Sequence, residues 1–151
     1  MLTFTLSALL AATALAGTNK RACQNPSVEQ NFDVEAYLGL WYEQARDVAC
    51  MYESGICDTA QYSLQADGNL RVRNNDFNVD GSGQWTGGLG VANIVDPSAE
   101  EGYLQVKFSP LIPAGDYKVV STDYVNYTVV YGCFKIPLFN KSTEYVWILG
   151  R

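Results

Sequence analysis

From Gly39 onward the chain repeats one pattern: six to twelve residues rich in Val, Tyr, Thr and Phe, then a cluster of turn-forming residues. The runs fall at 39–47, 57–66, 70–79, 84–95, 103–109, 116–122, 127–134 and 143–149. Strand-length runs of β-branched and aromatic residues bounded by Gly, Asp, Asn and Ser predict eight strands. Asp67-Gly68-Asn69 and Asp80-Gly81-Ser82-Gly83 separate the second, third and fourth runs. Both read as hairpin turns, with glycine where the backbone needs positive φ. Ahead of the strands lies an irregular segment, 17–38, containing Pro26 and a short helical turn at Val34 to Tyr37.

Eight strands with short antiparallel links and no long helix leave two architectures, a sandwich or a closed barrel. The faces of the strands separate them. In "NLRVRNNDFNV" one face carries Leu70, Val72, Asn74, Asp76 and Asn78, and in "EYVWILG" Tyr145, Trp147 and Leu149 alternate with Val146 and Ile148. A sandwich interior is uniformly apolar. A face that mixes Leu, Val and Trp with Asn and Asp suits the wall of a cavity instead. The glycine-rich "TGGLGVAN" (Thr86 to Asn93) has no Lys and no following helix, so it predicts a strongly curved strand and not a phosphate cradle.

Composition narrows the function classes. The 151 residues are 48% hydrophobic and 17% charged, a globular balance that fits one domain. The net charge of −6, with no cluster of Lys and Arg, argues against nucleic acid as a partner. The first sixteen residues, "MLTFTLSALLAATALA", are apolar and end in a small-x-small pattern, as a secretory signal peptide does. Behind it stand Cys23, Cys50, Cys57 and Cys133, an even set that predicts two disulfides in an oxidising compartment. Spacing alone leaves all three pairings open. Without histidine or a C-x-x-C pair, no metal site is expected.

The same absence of histidine removes the usual general acid–base, and no G-x-S-x-G elbow is present. Glu100-Glu101 falls in a surface loop and reads as solvated. No cofactor is called for. A binding site is what remains.

Three motifs carry a family resemblance. "GLWYE" (Gly39 to Glu43), "STDYVNY" (Ser121 to Tyr127) and "WILGR" (Trp147 to Arg151) resemble, in order and spacing, the three sequence signatures of the lipocalins. "CDTAQYSL" (Cys57 to Leu64) and "LQVKFS" (Leu104 to Ser109) are similar to the apolipoprotein D-like subgroup, and the likeness runs from Cys23 to Arg151. The resemblance implies an eight-stranded antiparallel up-and-down β-barrel over 39–151, preceded by a signal peptide (1–16) and an N-terminal arm (17–38), and lacking the C-terminal helix that family members carry after the third motif.

It further implies that Trp41 plugs the closed end beneath the Arg151 guanidinium, with Gly39 turning the chain into the strand. Thr122, Asp123 and Tyr124 would then build the second-motif loop. By the same resemblance Cys23 pairs with Cys133, which leaves Cys50 to pair with Cys57. Tyr62, Asn74, Asp76, Phe108 and Trp147 match positions lining the subgroup's ligand pocket, with Asp76 replacing a longer acid.

The expected protein is a secreted carrier of a fatty acid, sterol, retinoid or carotenoid. Its partners are that small hydrophobic ligand and, at a lipid interface, a membrane or lipid particle. Two other readings stand beside it: a lipid-acting enzyme using Cys57 as a free thiol, and an interaction module with a filled barrel. Asn126-Tyr127-Thr128 and Asn140-Lys141-Ser142 fit the N-glycosylation pattern, whereas Pro26 blocks Asn25.

Overall fold

The structure is a computed structural model and describes residues 23–47, 50, 55–79, 82–136 and 141–151. The expected signal segment, Asp80-Gly81 and Asn140 lie outside the described residues. Among the described residues eight strands follow one short helix, α1 (Val34–Tyr37): β1 (Gly39–Arg46), β2 (Ile56–Leu64), β3 (Leu70–Phe77), β4 (Trp85–Ile94), β5 (Tyr103–Lys107), β6 (Gly115–Thr122), β7 (Tyr127–Ile136) and β8 (Lys141–Gly150). Each strand pairs antiparallel with the next, and β8 returns to β1 to close the barrel. Closure removes the exposed sheet edges that a sandwich would have left to be covered.

Alternation decides what faces inward. On β3, Leu70 and Val72 are buried while Arg71 and Arg73 are exposed, and on β8 Tyr145 and Leu149 are buried while Val146 and Ile148 are exposed. Gly68 and Gly83 both adopt positive φ in the two anticipated turns. The side chain of Asp67 caps the first turn, accepting from the backbone N–H of Asn69 at 3.0 Å.

The core sits at the end of the barrel where β1 begins. There Asp33 starts α1 by accepting from the Ala36 N–H at 3.0 Å, and Tyr124 OH accepts from the Asp33 N–H at 3.1 Å. Gly39 follows the helix at φ 106°, a conformation that a Cβ would strain, and turns the chain into β1. Trp41 is fully buried, donates through Nε1 to the Tyr37 carbonyl at 3.0 Å, and packs its ring against Tyr37. The Arg151 guanidinium carbon lies 4.1 Å from the centroid of the Trp41 ring. Its Nη2 donates to the carbonyls of Ala36, Tyr37 and Leu38, the groups a short helix leaves unpaired at its C-terminus. A cation on an indole face stabilises by about 0.5–2 kcal/mol, more as it is desolvated.

The second-motif loop joins β6 to β7. Asp123 accepts from the N–H groups of Val125, Asn126 and Tyr127 and from the Asn126 side-chain amide. Those donors hold its carboxyl well below the usual carboxylate range. Thr122 Oγ1 donates to the Tyr127 carbonyl at 2.8 Å, and Tyr124, at φ 62°, packs over Phe32.

The disulfides follow the expectation in one case and depart from it in the other. Cys23 and Cys133 are bonded, with Cα atoms 5.8 Å apart, and the bond fastens the N-terminal arm to β7. It closes a loop of 110 residues, worth about 4–5 kcal/mol in the loop-entropy account. Cys50 and Cys57, expected to pair, are not joined. Beside Cys57 the β2 register shifts between Ile56 and Thr59, and Cys57 itself takes φ 59°. Cys57 is left exposed on the outside of the strand, while Cys50 is buried.

Candidate functional site

Above the Trp41 plug the barrel opens into a cavity of about 580 Å³. All five residues named from the sequence for the ligand pocket border it: Tyr62, Asn74, Asp76, Phe108 and Trp147. Strand alternation brings them together. Asn74 and Asp76 continue the inward face of β3 begun by Leu70 and Val72, and Trp147 sits between the buried Tyr145 and Leu149 on β8.

The two aromatic walls rest on glycine. A Cβ added to Gly90 would meet the Phe108 ring at 2.8 Å, and one added to Gly88 would meet it at 3.3 Å. A Cβ on Gly132 would meet the Trp147 ring at 2.8 Å. The glycines of β4 thus do more than let the strand curve. Gly88 and Gly90 seat the Phe108 ring against the wall, as Gly132 on β7 seats that of Trp147.

At the cavity floor three phenols form a chain. Tyr62 OH is 2.7 Å from Tyr117 OH, which is 2.9 Å from Tyr37 OH. Burial pushes Tyr37 up to about 12 and Tyr117 well above the ordinary phenol range, so all the floor can offer near neutrality is neutral hydroxyl groups. Tyr117 escaped the sequence reading, although its alternation with the buried Val119 would have placed it inside.

Nearer the mouth, polar groups gather on β1, β2 and β3. Arg46 Nη1 is bonded to Glu43 and, at 2.6 Å, to Asp58, and its Nη2 donates to the Gly55 carbonyl. Glu43 and Asp58 both border the cavity. They too follow from alternation: Glu43 lies two residues past Trp41, and Asp58 two before the buried Ala60. Asp76 accepts from Thr86 Oγ1 across the β3–β4 ladder. The carbonyl oxygen of the Asn74 side chain is buried with no hydrogen-bond partner.

The remaining sequence candidates lie away from this space. Cys57 is absent from the lining, because its neighbour Asp58 takes the inward position. Asn126 is exposed on the β6–β7 loop, its amide donating to Asp123 at 2.8 Å. Trp85 stands exposed with its ring edge-on to Phe77, outside the cavity.

A plugged, closed barrel with the three motifs at its narrow end invites comparison with known proteins, and residues 32–151 match the family model of the lipocalin-like domain. The chain is a lipocalin. Apolipoprotein D from Mus musculus is 40% identical over 131 residues, which are 85% of this chain and 66% of that protein. The Lazarillo protein of Schistocerca americana is 31% identical over 152 residues, covering 100% of this chain and 70% of its own length. Among solved structures, insecticyanin from the tobacco hornworm Manduca sexta superposes with a TM-score of 0.69 at 25% identity, over 85% of this chain and 68% of that one. This lipocalin thus spans about two thirds of the length of such relatives.

Proposed function

We propose that this lipocalin is a secreted carrier of a small hydrophobic molecule held inside the barrel. The observation that carries the reading is the cavity of about 580 Å³, walled by Phe108, Trp147, Val72 and Val130, with a few polar groups converging on it. Pockets of this kind are the normal form of a small-molecule site. A ligand burying roughly 300 Å² of apolar surface gains about 7 kcal/mol gross, part of which association costs remove, so micromolar affinity, about 8 kcal/mol net, calls for more buried area or polar contacts as well.

The Cys23–Cys133 disulfide supports an extracellular setting. Its similarity to apolipoprotein D over most of the chain supports a carrier role. The cavity volume weighs against a filled-barrel module. The outward placement of Cys57 weighs against an enzyme that would use this thiol on a lipid in the lumen.

The test is direct. Organic extraction of the purified secreted protein, followed by mass spectrometry, should recover a stoichiometric apolar compound. An apolar probe added to the stripped protein should then quench its tryptophan fluorescence saturably. Absence of any co-purifying compound together with absence of quenching by every apolar probe would end the carrier reading.

A further inference from the structure

One outer wall of the barrel departs from the acidic character of the chain, whose net charge is −6. The residues that point outward from β3, β4 and β5 include three cations, Arg71, Arg73 and Lys107, and no acid. The one acid in these strands, Asp76, borders the cavity instead. All three cations are exposed, and among the described residues none of them is bonded to a carboxylate. Register sets them among exposed apolar groups: Val91 lies between Arg71 and Lys107 on the neighbouring strands, and Leu89 lies opposite Arg73. The exposed acids among the described residues are Asp33, Glu35, Asp67, Asp96, Glu100 and Asp123. All six sit at the closed end, at α1 or in the links that follow β2, β4 and β6.

The second observation is independent of charge. At the open end the same wall finishes in apolar tips. The link from β5 to β6, "FSPLIPA" (Phe108 to Ala114), contains no charged residue. Leu111 is 91% exposed there, and Ile112 beside it 51%. The tip is an ordered turn: Ser109 Oγ accepts from the Leu111 N–H at 3.2 Å, and the Ser109 carbonyl from the Ile112 N–H at 3.3 Å. Next to it β4 opens with Trp85, 61% exposed and propped edge-on by Phe77. Apolar groups held out into water in a cluster mark a surface that another apolar phase covers. Tryptophan favours the boundary between lipid and water, where its ring is buried and its N–H stays wet.

We propose that the β3–β5 wall and its two apolar tips dock this lipocalin on an anionic lipid surface, with the mouth of the cavity turned toward the lipid. Lys107 directly precedes the loop, and Arg73 lies four residues below the top of β3, about 13 Å at the rise of a strand. A barrel leaning on this wall therefore sets both cations at the level of the phosphates once Leu111, Ile112 and Trp85 pass below it, and their long side chains extend the reach. The exposed acids stay behind at the closed end, about 25 Å away along β3 and beyond the screening length of about 8 Å. Charge and apolarity together select the partner. An acidic protein would answer the cations and leave Leu111 in water, whereas a neutral bilayer would take Leu111 and leave the cations idle. The inference goes beyond the carrier reading and holds whatever fills the cavity.

The experiment is flotation of the disulfide-intact protein with two kinds of vesicle, phosphatidylcholine alone and phosphatidylcholine with about 30% phosphatidylserine. The anionic vesicles should bind at least about tenfold more tightly in about 0.1 M sodium chloride, and the preference should fall in about 0.5 M. Substituting glutamine for Arg71, Arg73 and Lys107 together should weaken binding to the anionic vesicles roughly a hundredfold, about fivefold for each charge. Leu111→Ser combined with Ile112→Ser should weaken binding to both kinds of vesicle about tenfold. Lys135→Gln combined with Lys141→Gln removes two exposed cations from β7 and β8, outside this wall, and should alter binding less than about twofold. Far-ultraviolet circular dichroism and the urea midpoint establish that each variant is folded.

Equal binding to the two kinds of vesicle by the wild-type protein overturns the inference without any variant. So does a preference that survives the triple substitution, or one that the Lys135 and Lys141 pair weakens as much. Binding of polyglutamate in the absence of vesicle binding also overturns it, and assigns the wall to an acidic protein. Quenching by an apolar probe in a protein that ignores both kinds of vesicle overturns the docking and leaves the carrier reading intact.

Discussion

The two ends of the barrel are built from the same eight strands and satisfy their polar groups in opposite ways. At the closed end polar groups find partners within the protein: the Trp41 N–H meets the Tyr37 carbonyl, and Arg151 takes three carbonyls at the C-terminal end of α1. The apolar residues there, Trp41, Tyr37, Leu70 and Val119, are essentially removed from solvent. At the open end Phe108 is nearly half exposed and Asn74 Oδ1 has no partner. A fold that pairs the Trp41 and Arg151 donors within the protein at one end and opens a cavity at the other concentrates its packing in the first and leaves the second as the candidate site of recognition.

The sharpest way to break that contrast is at the tether. Phe32, α1 and the entry to β1 reach the closed end through the arm that Cys23–Cys133 holds to β7. Replacing both cysteines with serine should destabilise the protein by about 4 kcal/mol, read as a lowered midpoint in urea. A midpoint that does not move would mean that the arm docks without the bond.

A subtler pair of substitutions sharpens the comparison. Trp41→Phe leaves a void beneath Arg151 and should cost about 1–3 kcal/mol while ligand affinity stays within about twofold. Trp147→Phe, on the cavity wall, should do the converse: most of the ligand-induced quenching is lost and the far-ultraviolet circular dichroism is unchanged. Trp85→Phe, outside the cavity, is the control that should alter neither. Equal loss of binding from the Trp41 and Trp147 variants would contradict the separation of the two ends.

The smallest effect lies in the second-motif loop. Asp123 is held below its ordinary range by backbone and amide donors, so its folded pKa is the depressed one. The sign follows from linkage: its contribution is present above the unfolded carboxylate pKa of about 4 and is lost as pH falls below it. Thermal midpoints measured from pH 5 down to pH 2 should therefore decline less steeply in Asp123→Asn than in the parent. Parallel declines would show that the carboxylate's charge is not what the loop uses.

Much of this molecule is written along the chain. Strands of period two, interrupted by Asp-Gly turns, state the number of strands and the face each side chain takes, because backbone pleating alone enforces them. That is why Asn74, Asp76 and Trp147 could be placed on the inward face before any coordinate was known, and why Trp41 and Arg151 could be matched to the closed end by their motifs. Periodicity says nothing of which inward residues meet across the lumen. Closure of β8 onto β1, the phenol chain from Tyr62 through Tyr117 to Tyr37, and the seating of Phe108 and Trp147 on glycines all depend on contacts between distant strands. That Cys50 and Cys57 are not joined to each other belongs here too, since spacing does not say which cysteines meet in space. Local sequence determined the faces, because pleat and turn are local physics; only the closed barrel decided the neighbours, because packing across it is not.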